Sequence, residues 1–78
     1  MEISQIRNLI QQDQLDKAFH ETNGIVSAPL LERIRTLTNR YEDWKRDQEA
    51  NARGGFEEKN VIVNFLQRIL TDEEARRR

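Results

Sequence analysis

Cysteine is absent from this sequence, which excludes disulfides and thiolate metal sites. Histidine occurs once, as His20. A nucleophile–base–acid triad needs an orienting acid beside its histidine, and a metal site needs convergent ligands. Asp16 and His20 stand four apart on a helical pattern and read as a surface polar contact. Glu57/Glu58 and Glu73/Glu74 are adjacent pairs, and neighbours i and i+1 on a helix do not face each other, so they make poor acid–base partners. Gly54-Gly55 follows no strand and precedes no Lys-Ser/Thr, so it is no phosphate loop. Catalysis, a cofactor, a metal and a small-molecule ligand are therefore not expected.

Long apolar runs are also missing. None approaches the roughly 18 residues of a membrane span, and "MEISQIRNLIQQ" lacks the charged-then-apolar layout of a signal peptide. The expectation is a cytoplasmic chain that makes no use of a membrane. One-signed charge is missing too: net charge is -1, with acids and bases interleaved. A dedicated nucleic-acid binder carries a basic excess on one face, so nucleic acid is not expected as a partner. The Arg76 to Arg78 cluster is short and terminal, and reads as solvation or the start of a linker.

What is present is helical periodicity over a single domain, residues 1–78. Ile3, Ile6, Leu9 and Ile10 mark a first short helix, and Leu15, Ala18 and Phe19 a second. Asp13 is the expected cap of the second, and Gly24 its expected stop. Neither helix stands alone in water at this length. Ser27 is the expected cap of a third helix, and the only proline, Pro29, is tolerated in its first turn. Leu30, Leu31, Ile34, Leu37, Tyr41 and Trp44 form one stripe along this third helix. Glu42/Arg46 and Glu49/Arg53 support its exposed side, and it is expected to end near Arg53, after roughly 35–40 Å. Gly54-Gly55 allows a reversal. A last helix runs from about Glu57 to Thr71 or beyond, with residues 71–78 a polar tail or linker. Glu73/Arg77 and Glu74/Arg78 fit a fraying extension of it.

The predicted fold is all-α: a small bundle of four, possibly five, helices. Two short N-terminal helices pack on a long antiparallel helical hairpin. At 78 residues the chain buries only about 60% of its unfolded surface. Small domains of this kind often gain stability by oligomerising.

Two features point to protein–protein contact. Val61, Ile62, Val63, Phe65, Leu66, Ile69 and Leu70 cover more than one face of the last helix, which suits a central element or one touching a second molecule. Tyr41 and Trp44, within "RYEDWKRDQEANARGG", are hot-spot residue types on a thinning core stripe; the competing reading puts them in the core. The expected docking residues are Arg40, Tyr41, Asp43, Trp44, Arg46 and Asp47 on the long helix, with Val63 and Leu70 on the last. The expected assembly is a homodimer or higher oligomer, or a complex with a related helical domain. Rival readings are a helical nucleic-acid binder and a structural segment of a larger protein.

"IRNLIQQDQLDKAF" has the form of a helix, a polar turn and a second helix with Leu-x-x-Ala. "LTNRYEDWKRDQ", a glycine-containing turn and "EEKNVIVNFLQRIL" follow. Over residues 3 to 70 this pattern resembles the bacterial effector-associated domains, a death-like group of small helical adaptors. The resemblance implies a non-enzymatic module that docks like with like, coupling a sensor to an effector in bacterial conflict, antiphage defence or programmed cell death. The chain departs from the pattern by carrying no effector and by having two glycines in "NARGGFEEKN", where one glycine and a small polar residue are expected.

Overall fold

A computed structural model describes residues 2–77 except 52–54, with Asn51 described in its backbone only. Among the described residues there are four helices and no strand: α1 (Ile3–Gln11), α2 (Leu15–Ile25), α3 (Ala28–Asn51) and α4 (Phe56–Arg76). The fold is the predicted small all-helical bundle. It measures 43 × 24 × 18 Å.

Ion pairs and hydrogen bonds fix the directions. Arg7, in the middle of α1, meets Glu74 at 2.7 Å, and Asp13, just past its end, meets Lys59 at 2.6 Å, so α1 runs antiparallel to α4. Asp16 meets Lys45 at 2.7 Å and Asn23 donates to Thr38 at 3.1 Å, so α2 runs antiparallel to α3. Arg33–Asp72 at 2.7 Å and Arg40–Glu58 at 2.6 Å set α3 against α4 in the same sense. The result is an up-down-up-down bundle. The long helices, of 24 and 21 residues, outreach the short ones, of 9 and 11.

The core follows the period read from the sequence. Ile6, Ile34, Ile62, Leu66 and Leu70 are fully buried, one or more from α1, α3 and α4, and Ala18 and Phe19 add α2. Each short helix therefore owes its stability to packing rather than to its own length.

Three local expectations are corrected. Asp13 does not cap α2. It has φ 61°, and the backbone closes around it: Asp13 N–H donates to Ile10 O (3.0 Å) and Gln14 N–H to Leu9 O (2.8 Å). This is a Schellman ending of α1, with Asp13 in the left-handed position. Gly24 does not stop α2, which continues to Ile25. The half-buried Ile25 and Val26 pack on the core and draw the chain onward past the glycine. The helical extension expected over the polar tail is present as far as Arg76, with its Glu73/Arg77 pair at 3.6 Å, but the stretch is not a solvated tail or linker throughout, because the Glu73 side chain is 1% exposed. The expected end of the long helix at Arg53, and its Glu49/Arg53 pair, lie outside the described residues, as does Arg78.

Gly55 ends the turn into α4 with φ 86°. A Cβ there would collide with Nε2 of Gln48 and come within 2.8 Å of Nε1 of Trp44. Gly24 has ordinary backbone and open space around its Cβ position. The two glycines should respond oppositely to alanine. Gly55→Ala is expected to destabilise by about 1 kcal/mol or more, and Gly24→Ala to stabilise by about 0.5–1 kcal/mol. Urea denaturation of both variants checks the signs, and two changes of the same sign would contradict these backbone assignments.

Candidate docking surface

The charged aromatic stretch of α3 divides in the structure. Tyr41 is 5% exposed and stacks on Phe19, with ring centroids 4.6 Å apart. Its hydroxyl donates to Asp16 (2.9 Å), and Lys45 donates to the same carboxylate oxygen (2.7 Å) while lying 5.5 Å above the Tyr41 ring. The Lys45 and Tyr41 hydrogen bonds hold the Asp16 carboxyl below its ordinary range. Burial, and then the neighbouring Asp16 carboxylate, push the Tyr41 phenol upward. The phenol therefore stays protonated and donates. Asp16 turns to this cluster rather than to His20, which is exposed. Trp44 is half-buried, 6.1 Å from the Tyr41 ring, and its indole N–H donates to Gly55 O at 3.1 Å. It thus ties α3 to the start of α4.

The expected docking residues do not form one surface. Tyr41 and Leu70 are corrections: both lie in the chain's own core, Leu70 with no exposure, and neither can reach a partner without unfolding. Val63 is half-buried against that core. Trp44 offers only part of its ring. Arg40 is exposed and paired with Glu58, whose carboxyl it holds below the usual range. Asp43 and Arg46 are exposed and pair with each other at 3.5 Å, in place of the expected Glu42/Arg46 pair. Asp47 is exposed.

The outward apolar surface lies instead on α4. Val61 is 37% and Phe65 41% exposed, one turn apart, and Phe56 at the first turn is 74% exposed. Phe65 borders an open groove of about 440 Å³ between α3 and α4, floored by Leu37 and Ile69. Arg33–Asp72 and Arg40–Glu58 bridge α3 to α4, and Glu58 and Asp72 each lie two turns from Phe65 along α4. Sequence reasoning counted Val61 and Phe65 in the surplus of apolar positions without separating them from the core. Val61 and Phe65 share one face and Ile62, Leu66 and Ile69 another, but both are apolar, and spacing alone does not say which faces inward.

Chemically, the surface offers shape and burial rather than reactive groups. Among the described residues no group of three or more His, Asp or Glu side chains is placed to hold a metal ion. No described helix is long and apolar enough to cross a membrane. Arg33, Arg40 and Lys45 are each joined to a carboxylate, and Arg77 donates to Ile25 O (3.2 Å). No family model, curated protein or solved structure matches this chain.

Proposed function

We propose that this chain is a non-enzymatic interaction module of the cytoplasm that associates with a second copy of itself or with a related helical domain. In the manner that its resemblance to effector-associated domains implies, it couples a sensor protein to an effector in bacterial conflict or programmed cell death. The observation that carries this reading is the outward Val61/Phe65 pair beside the Leu37–Ile69 groove. Exposed aromatic and aliphatic anchors at a groove suit a partner helix. Charges at the rim select among partners, since like charges brought together are costly. Modest affinity suffices where several copies assemble on larger proteins.

Light scattering behind size exclusion, over a wide concentration range and at low and high salt, tests it. A mass that rises with concentration above the 9.3 kDa of one chain is the expected result. A single 9.3 kDa species at the highest concentration would overturn self-association.

A further inference from the structure

The exposed face of α4 has a charge order that favours one arrangement of two copies. At about 100° per residue, Glu57, Val61, Phe65, Arg68 and Asp72 fall within about 80° of one another around the helix, and all five are exposed. The face therefore reads acid, apolar, apolar, base, acid along α4. Asp72 is bound to Arg33. Glu57 and Arg68 have no ion-pair partner among the described residues. They lie one turn to either side of the Val61/Phe65 pair.

We infer that two copies of this chain associate through α4 packed antiparallel on α4, with Val61 of each copy against Phe65 of the other. In that register Glu57 of each copy meets Arg68 of the other, twice by symmetry. An isologous two-fold contact demands such self-complementarity. Two alternatives match the charges less well. A parallel pair sets Glu57 on Glu57 and Arg68 on Arg68. An antiparallel pair shifted so that Phe65 meets Phe65 sets Arg68 level with Ile62 and Glu57 level with Glu73, which leaves both unpaired charges without an opposite charge. Like charges brought together at an interface disfavour association, and an unpaired charge there gains nothing from it. The favoured register also lays the start of the second α4 beside Ile69, over the edge of the groove. A helical partner of another protein fits the apolar pair as well, but nothing on the surface makes such a partner match both charges.

This inference rests on the self-association reading above and adds its geometry. The test is a charge exchange, followed by sedimentation equilibrium of the whole chain. Arg68→Glu and Glu57→Arg are each expected to weaken self-association by about tenfold or more, because each places like charges together at two symmetric sites. Combining them should restore it. Within one chain the two positions are 11 residues, about 16 Å, apart along α4, so recovery cannot arise from a pair inside the monomer. Both residues are exposed, and circular dichroism of each variant should match the parent. Two failures are distinguishable. If the parent chain is a monomer throughout, self-association and this geometry both fall. If the parent associates and the exchange variants do so equally well, or the double variant fails to recover, only the antiparallel α4 contact is overturned.

Discussion

Replacing Leu66 with alanine is expected to cost about 3 kcal/mol and to lower the melting midpoint by about 15 °C. Leu66 has no exposure and belongs to the one core cluster, which also holds Ile6 of α1, Phe19 of α2 and Ile34 of α3. Truncation loses the transfer free energy of the side chain and leaves a cavity, which the interlocked helices fill only in part. A chain of 78 residues has a total stability of about 4–12 kcal/mol at typical values per residue. The loss is therefore a large fraction of the whole. Its neighbour is the control. Phe65 is larger yet 41% exposed, and Phe65→Ala should cost about 1 kcal/mol while removing an apolar anchor from the proposed contact. Thermal and urea denaturation followed by circular dichroism compare the two. Equal losses, or a smaller loss for Leu66, would mean that α4 packs with a different face inward.

That ordering was only half legible in the sequence. Ile6 and Ile34 stand out from spacing alone, because apolar residues recurring at three and four define a buried stripe. The hairpin was legible as well, since the glycine-marked break divides two long periodic segments. The facing of α4 was not, because seven apolar residues over ten positions fit several rotations. Only the partners settle it: α1 and α3 cover Ile62, Leu66 and Ile69, and leave Val61 and Phe65 outside. Gly24 and Asp13 show the same limit at helix ends. Local preference makes glycine a stop and aspartate a cap, and tertiary packing overrides the first while the turn after α1 takes the second for its left-handed position.

Glu73 was the least legible residue, and its replacement is the second large effect expected. "TDEEARRR" reads as a solvated end, yet the Glu73 carboxylate is buried at the corner between α2 and α3. It accepts the Ser27 backbone N–H, and the Ser27 hydroxyl donates to its other oxygen at 3.0 Å. Arg77 lies 3.6 Å away. Ser27 immediately precedes α3, where unpaired N–H groups and the helix dipole favour an anion. The sequence assigned that place to Ser27 alone. In the structure the serine is itself held by a carboxylate 46 residues away, and no local pattern reports such a partner. Glu73→Ala leaves the Ser27 donors without that acceptor and should destabilise by about 2–3 kcal/mol at pH 7.

The effect carries a pH signature. Burial works to raise the Glu73 pKa, and the two Ser27 hydrogen bonds with the Arg77 and Arg76 charges outweigh it, so the net direction is downward. A folded-state value below the unfolded one stabilises the fold at pH above the unfolded value, about 4.3 for glutamate. That contribution is lost as pH falls through the folded value. Glu73→Gln keeps the shape and removes the titration. The stability gap between the parent and Glu73→Gln should be full at pH 7, unchanged to about pH 5, and should shrink on further acidification. Asp16 and Glu58, which are also held low, titrate in both chains and cancel in the difference. Urea denaturation of the pair from pH 7 to pH 3 measures it. A gap that stays constant across that range would show that the carboxylate charge does not hold the α2–α3 corner to α4.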